Sequence, residues 1–233
     1  MSAISAEGVW KFFGDFPALR NVSFHARPGE CLALLGRNGA GKTTLLRILA
    51  GLSRPARGEV TIHGRSTRDE QTRRQIGVLG HGISLYDELS AFENLALFGK
   101  LYGLPKAKAT AGEWLERIGL DHVRHAKVRE FSRGMRQRLA VARSLLHEPA
   151  VLLLDEPFTA LDDRAVALLD GMLRDHLARG RTVILTTHQL REALALATHV
   201  ALLARGALAH FGERTPKMLE DPGWLYRHYG QSS

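Results

Sequence analysis

Cysteine is nearly absent from this sequence: Cys31 is the only one among 233 residues. A lone cysteine forms no intramolecular disulfide, and this fits a protein that works in a reducing compartment. The segment around it, Cys31-Leu32-Ala33-Leu34-Leu35, is entirely apolar. We therefore predict that Cys31 is a small core residue.

Long apolar runs are absent as well. No stretch approaches the roughly 20 residues that a helix needs to span a bilayer. Residues 1–10 lack the basic start and the apolar stretch of a secretory signal. If the protein works at a membrane, we expect another chain to supply the spans. The length and the 45% of apolar residues fit one globular domain with a sizeable core.

Acidic residues are outnumbered, with 24 Asp and Glu against 32 Lys and Arg and a formal net charge of +8. Such an excess suits either nucleic-acid binding or a solvated surface near anionic lipid or an anionic ligand. The basic residues are scattered, form no basic tail and do not interleave with the aromatic residues, which make up only 7%. These features favour the solvated surface, and we predict no nucleic-acid partner.

The pattern of apolar residues changes twice along the chain. The first third contains strand-like runs bounded by Gly, Pro, Asn and Asp, followed by a buried strand and a helix. These segments are 9–13, 19–25, 59–63, 31–35 and 42–50. From about residue 90 to residue 147 only helices are predicted, beginning at a capping box that Ser90 and Glu93 form.

The last third alternates between strands and helices. We predict strands at 151–154, 182–186 and 200–203, and helices at 164–178 and 192–198. Such alternation indicates an α/β fold with a mainly parallel sheet and helices on both faces. The tail from residue 215 to residue 233 carries a weaker helical pattern.

A glycine-rich segment follows the first buried strand and matches G-x-x-x-x-G-K-[ST] in full. It consists of Gly36-Arg37-Asn38-Gly39-Ala40-Gly41-Lys42-Thr43-Thr44. Glycines let the backbone curl, so that successive N–H groups point at phosphate oxygens, and the following helix aims its positive dipole end at the same charge. We expect Lys42 to reach the β- and γ-phosphates of ATP and the Thr43 hydroxyl to ligate Mg²⁺.

Two carboxylates follow the apolar run 151–154. In an open α/β sheet, ligands bind at the carboxyl ends of the strands. We expect Asp155 to hold Mg²⁺ through water and Glu156 to polarise the water that attacks the γ-phosphate. After a buried strand, in a chain that also has a phosphate loop, this pair is a strong indication of ATP hydrolysis.

Residues 131–138, Phe131-Ser132-Arg133-Gly134-Met135-Arg136-Gln137-Arg138, resemble the signature motif of the ATP-binding domains of ABC transporters, usually written LSGGQ. The resemblance covers nearly the whole chain. It implies that Ser132 and Gly134, at a helix start, contact the γ-phosphate held by an opposite subunit. We expect the charge of Arg133 to help hold the same phosphate. The departures from the motif are Phe131 for Leu, Arg133 for Gly and Met135 for Gln.

Three further positions carry the same resemblance. Residues 159–162, Thr159-Ala160-Leu161-Asp162, are similar to the D-loop, which places Asp162 at the partner subunit. His188, after the predicted strand 182–186, resembles the switch histidine that contacts the γ-phosphate. Phe13 matches the aromatic residue that stacks on adenine, although a place in the core is the alternative for an isolated aromatic.

One departure affects the metal site. Residues 76–81 align with the segment that ends in the Q-loop glutamine, and His81 stands in place of that glutamine. A neutral imidazole can ligate a metal or hold a water, so we expect His81 on the metal side of the site. The alternative is that the side chain of His81 points to solvent or to the membrane permease that proteins of this family drive.

The resemblance implies a fold, two cofactors and two kinds of partner. The fold would be a phosphate-loop ATPase core with a mainly parallel sheet, an N-terminal antiparallel β-subdomain and an inserted helical subdomain at about 90–147, all in one domain of residues 1–233. ATP and Mg²⁺ would bind between two such subunits, identical or paralogous. A transmembrane permease would be driven from the cytoplasmic face of the inner membrane, where the chain would be peripheral and would contact the membrane through the permease.

The transported substrate is less well defined by the sequence. In the family the segment 80–95 faces the permease, and here it is similar to the ATPase subunits of the haem exporters of cytochrome c maturation. A generic drug, lipid or polysaccharide exporter is the alternative substrate class. A non-transport ABC ATPase that acts on nucleic acid or ribosomes is the alternative function, and such proteins carry two domains or a long coiled coil that this sequence does not show.

Overall fold

The strands lie in two sheets in the computed structural model, which describes residues 2–80 and 85–230. In chain order the strands are β1 (Ile4–Phe13), β2 (Phe16–Ala26), β3 (Cys31–Leu35), β4 (Arg57–Ile62), β5 (Arg65–Ser66), β6 (Ile76–Leu79), β7 (Val151–Asp155), β8 (Thr182–Thr186), β9 (His199–Ala204) and β10 (Ala207–Glu213). The smaller sheet is antiparallel with the order β2-β1-β4-β5. The larger sheet has the order β10-β9-β3-β8-β7-β6, in which only the β9–β10 pair is antiparallel.

The helices of the described residues are α1 (Lys42–Leu49), α2 (Glu70–Arg73), α3 (Ala91–Leu101), α4 (Ala107–Arg117), α5 (Arg133–Leu145), α6 (Asp163–Ala178), α7 (Leu190–Leu196), α8 (Pro216–Glu220) and α9 (Trp224–Tyr229). The helical segment α3 to α5 follows β6 and precedes β7, although these two strands are neighbours in the larger sheet. The predicted α/β fold, with an antiparallel sheet and a mainly parallel one, is therefore confirmed.

The larger sheet separates two apolar cores, because successive side chains of a strand point to opposite faces. Leu32 and Leu34 of β3 pack in the core that includes helix α1 and the smaller sheet. Cys31, Ala33 and Leu35 pack on the other side, in the core that includes α3 to α6. Cys31 is fully buried there, as predicted, and burial raises the pKa of its thiol to about 12.

The helical segment begins at the predicted capping box. The hydroxyl of Ser90 accepts a hydrogen bond from the N–H of Glu93, and the carboxylate of Glu93 accepts one from the N–H of Ser90. Nothing in this segment reaches a membrane-spanning length, and none of the helices in residues 2–80 and 85–230 is both long and apolar enough to cross a bilayer.

One predicted helix ends earlier than expected, and another begins where the signature motif implied. Helix α7 ends at Leu196 rather than at Thr198, because Thr198 turns away to pair with Cys31 of β3 through its N–H and its hydroxyl. Helix α5 begins at Arg133, directly after its cap Ser132, at the helix start that the signature motif implied. The sequence pattern predicted no strand at the position of β10.

Candidate nucleotide site

The predicted phosphate loop joins the end of β3 to the start of α1, as the sequence indicated. Two of its glycines permit close backbone approaches. Gly36 has a φ of 152°, and a Cβ atom there would lie 2.4 Å from the carbonyl oxygen of Leu203. Gly41 has a φ of 105°, and its Cβ would lie 2.7 Å from the carbonyl oxygen of Ala18. Larger residues would therefore displace the loop from the strands on which it rests.

Lys42 lies across the inside of this loop. Its Nζ donates hydrogen bonds to the carbonyl oxygens of Gly36 at 2.7 Å and of Arg37 at 3.2 Å. Burial lowers the pKa of Lys42, and the carboxylates of Glu156 and Asp155 oppose this shift. The ammonium group is thus held between the loop backbone and the two carboxylates, where an added phosphate would meet a partly desolvated cation.

The two residues predicted to hold Mg²⁺ are in direct contact. The hydroxyl of Thr43 donates to one carboxylate oxygen of Asp155 at 2.9 Å. The hydroxyl of Thr186, at the end of β8, donates to the other oxygen at 2.5 Å. A hydroxyl and a carboxylate at this spacing suit a hard cation that takes oxygen ligands and keeps several waters, so the residues fit Mg²⁺. The described residues contain no group of three His, Cys, Asp or Glu side chains that could hold a metal alone.

Glu156 occupies a strained turn directly after β7. Its φ is 54°, in a region that residues other than glycine rarely adopt and that recurs at functional sites. Its N–H donates to the carbonyl oxygen of Thr186 at 3.0 Å. Its carbonyl oxygen accepts a bond from the side-chain amide of Gln137 at 3.3 Å, as does that of Pro157 at 3.0 Å. The turn is therefore held from strand β8 on one side and from helix α5 on the other.

The carboxylate of Glu156 meets His188, the predicted switch histidine. It accepts a hydrogen bond from the backbone N–H of His188 at 3.2 Å, and its Oε2 atom lies 2.9 Å from the Nδ1 atom of the imidazole. The His188 side chain is 70% exposed, whereas that of Glu156 is 21% exposed. The pair therefore spans the boundary between the sheet edge and the solvent in front of it.

The signature residues lie at a helix start, as predicted. The loop next to them is the predicted D-loop and not the phosphate loop. The hydroxyl of Ser132 accepts a bond from the N–H of Met135 and caps α5. A Cβ atom on Gly134 would lie 3.0 Å from the carbonyl oxygen of Ala160 in the predicted D-loop. Asp162 caps α6 by accepting a bond from the N–H of Ala165 at 2.8 Å. Ser132 and Arg133 are exposed.

None of the hydrogen bonds recorded for residues 2–80 and 85–230 joins the signature residues to the phosphate loop of the same chain. Phe13 is 59% exposed at the end of β1, which excludes the alternative of a core residue. The prediction for His81 lies outside the described residues.

Three contacts of the site escaped the sequence prediction: Thr186 on Asp155, Gln137 on the Glu156 turn, and Tyr226 on Gly36. The last is a hydrogen bond of 3.0 Å from the N–H of Gly36 to the hydroxyl oxygen of Tyr226 in α9. Thr186 and Gln137 are buried in the structure, and a buried polar side chain needs a hydrogen-bond partner. The sequence around them gives no such signal, because Gln137 is flanked by Arg136 and Arg138, and Thr186 is followed by Thr187.

Known proteins resemble this chain over most of its length. The family model described as "ABC transporter" matches residues 19–159. The Nod factor export ATP-binding protein I of Cupriavidus metallidurans is 40% identical, over 88% of this chain and 70% of its own length. An uncharacterized ABC transporter ATP-binding protein of Bacillus subtilis is also 40% identical, over 90% of this chain and 70% of its own length.

Solved structures agree with the fold. One described as the ATP-binding subunit of an ABC transporter has a TM-score of 0.86 and 29% identity, over 99% of this chain and 96% of its own. A second, described as a dimeric post-hydrolysis state of an ATP-binding cassette bound to ADP and Pi, has a TM-score of 0.81 and 27% identity, over 91% of this chain and 99% of its own. The motifs, the fold and these matches together show that the chain belongs to the ATP-binding proteins of ABC transporters.

Proposed function

We propose that this chain hydrolyses ATP as the engine of an ABC exporter, in a site shared between two subunits. The observation that carries the proposal is that four groups meet at one edge of the larger sheet. They are the phosphate loop, the lysine inside it, the pair of a hydroxyl and a carboxylate, and a second carboxylate that contacts a histidine. These groups come from the ends of β3, β7 and β8, which are neighbours in the sheet.

The phosphate loop binds the nucleotide. The N–H groups of residues 38–44 and the start of α1 surround the phosphates, and Lys42 exchanges its bonds to loop carbonyl oxygens for bonds to phosphate oxygens. Thr43 and Asp155 would hold Mg²⁺, which would neutralise part of the charge on the phosphates. Phe13, exposed at the end of β1, would stack on the adenine ring.

Hydrolysis depends on Glu156 as a general base. Its carboxylate accepts a proton from the attacking water while the water oxygen bonds to the γ-phosphorus. The bond from the γ-phosphorus to the bridging oxygen breaks, and the products are ADP and inorganic phosphate. His188, whose N–H and imidazole contact the same carboxylate, would orient it and would contact the γ-phosphate. The strained turn at Glu156 holds this geometry before substrate binds.

The signature residues complete the site of a second subunit. Ser132, Arg133 and Gly134 stand exposed or half-exposed at the start of α5, beside the loop that leads to Asp162. A helix start is suited to an anion, and a second copy or a paralogue supplies one in its bound γ-phosphate. Closure of the two subunits on ATP and their reopening after phosphate release would be the power stroke. The dimeric post-hydrolysis neighbour supports this arrangement.

A transmembrane permease is the second partner, contacted from the cytoplasmic face of the inner membrane. The segment that precedes α3 exposes Tyr86, whose side chain is 53% exposed. The side chain of Asn94 fixes this residue, since its Oδ1 atom accepts from the Tyr86 N–H at 2.8 Å and its Nδ2 atom donates to the Tyr86 carbonyl oxygen at 3.0 Å. An exposed aromatic side chain whose backbone is held by hydrogen bonds is suited to contact another protein.

Export is the direction that we propose, because the similar proteins include several named for Nod factor export. The earlier expectation of haem as the substrate gains no support from them, and the name of those relatives favours a substrate class other than haem. The permease selects the substrate, so the ATP-binding chain alone does not define it.

Phosphate release from ATP by the purified chain tests the proposed hydrolysis. Glu156→Gln keeps the shape and removes the base, so the rate should fall by about a hundredfold or more while ATP still binds. Glu113→Gln, an exposed carboxylate on α4, is the matched control and should behave as the parent chain. Equal rates in the parent and in Glu156→Gln would overturn the assignment of the base.

A further inference from the structure

The phosphate loop has little packing of its own on its outer side. Arg37, Asn38 and Gly39 are exposed, whereas Gly36, where the loop leaves β3, is buried. On one side Gly36 rests against the carbonyl oxygen of Leu203, so closely that no Cβ atom would fit. The position of the loop therefore depends on what holds Gly36 from the other side.

That contact comes from the C-terminal part of the chain. The N–H of Gly36 donates to the hydroxyl oxygen of Tyr226 at 3.0 Å, over a sequence separation of 190 residues. The carbonyl oxygen of the same glycine accepts from Lys42. Gly36 is thus bonded on one side to the lysine that is to bind phosphate and on the other to Tyr226. A cavity of about 280 Å³ lies between Tyr226 and loop residues 37–40.

Helix α9 is well anchored to present this hydroxyl. Leu225 is fully buried in the core beneath the helix. The ring of Tyr229 stacks on His210 of β10, with ring centroids 4.5 Å apart. Burial raises the pKa of Tyr226, and the carboxylate of Glu156 adds to this, while the bond from Gly36 and the charge of Arg37 oppose it. The hydroxyl is therefore neutral at working pH and available as an acceptor.

We propose that Tyr226 is a positioning residue for ATP binding, which holds the phosphate loop in its binding shape through the N–H of Gly36. The hydroxyl acts on the loop backbone and not on the reacting phosphate. Its loss should weaken the binding of the ground state and of the transition state equally, which raises KM without lowering kcat. This inference rests on the proposed ATP site.

Tyr226→Phe tests it, because the change removes the hydroxyl and keeps the ring. We expect the Kd for Mg·ATP, measured by calorimetry, and the KM for ATP to rise about tenfold, with kcat within about twofold of the parent value. Hydrogen–deuterium exchange in the peptide that contains Gly36 should become faster. Tyr229→Phe, on the same helix, is the matched control and should leave the Kd, the KM and the exchange rate unchanged.

Two results separate the inference from the function on which it rests. If the parent chain binds no ATP, the proposed function fails. If the parent chain binds ATP and Tyr226→Phe binds it with the same Kd, the proposed role of Tyr226 fails alone. A lower melting temperature of Tyr226→Phe with unchanged Kd and KM would also overturn it, since that would be a purely structural contact.

Discussion

At the scale of single residues, the metal side of the site depends on two hydroxyl groups that hold Asp155. Thr43 is exposed and is itself a predicted Mg²⁺ ligand, whereas Thr186 is fully buried. The Thr186 hydroxyl donates to the second carboxylate oxygen of Asp155 and accepts from the N–H of Glu156 at 3.3 Å. The bond from Thr186 therefore fixes the direction in which Asp155 presents its other oxygen. Partners of this kind tune the affinity of the metal ligands that they orient.

We predict that Thr186→Val raises the Mg²⁺ concentration for half-maximal ATP hydrolysis by about tenfold, because Asp155 loses its orienting partner. Thr182→Val is the matched control. Thr182 lies at the other end of β8 and is equally buried, and its hydroxyl donates to the carbonyl oxygen of Arg27, away from the site. Both variants should lose about 1 kcal/mol of stability. A Mg²⁺ dependence that is the same in both variants would contradict the role of Thr186.

Contacts of this kind mark the limit of prediction from the sequence. Lys42 and Thr43 belong to one contiguous motif, and Asp155 and Glu156 follow one buried strand, so local pattern was enough to predict them. Thr186 meets Asp155 across 31 positions, and Tyr226 meets Gly36 across 190. No local pattern predicts a contact between residues so far apart in the sequence, because such a contact depends on the order of the strands in the sheet.

At the scale of elements, helix α5 connects the signature to the hydrolytic turn. Its first residues present the signature at the surface, and one turn later Gln137 donates to the carbonyl oxygens of Glu156 and Pro157. The helix that we propose to contact a partner's phosphate is therefore bonded to the turn that carries the proposed base. The signature motif implied the start of this helix, but no local pattern predicted the contact of Gln137 with the Glu156 turn.

We predict that Gln137→Met lowers the single-turnover rate of hydrolysis at saturating ATP by about tenfold and leaves the Kd for ATP unchanged. The substitution removes the hydrogen bonds that hold the turn at Glu156, and it leaves the phosphate loop unchanged. Arg138→Met is the control on the same helix. Arg138 also donates to a backbone carbonyl oxygen, that of Ile118, but away from the site. A loss of ATP affinity without a change in the single-turnover rate would refute the proposed connection.

At the scale of the whole molecule, each chain presents two groups of residues that we propose to be half-sites. One is the phosphate loop with Asp155 and Glu156 at the edge of the larger sheet, and the other is the start of α5 beside the D-loop. The hydrogen bonds of the described residues do not join the two within one chain. In the proposed shared site a second subunit joins the two, and two copies of this chain would form two equivalent sites.

Mixing two inactive variants measures this sharing directly. Ser132→Arg places a bulky side chain where the partner's γ-phosphate is to lie, and Lys42→Ala removes the cation of the phosphate loop. Each variant alone should release little phosphate from ATP. A mixture forms dimers in which the loop of the Ser132→Arg chain faces the intact signature of the Lys42→Ala chain, so activity should return. As a control, Ser132→Arg mixed with a chain that carries both substitutions contains no intact site and should stay inactive. A mixture of the two single variants that is no more active than their sum would contradict the shared site.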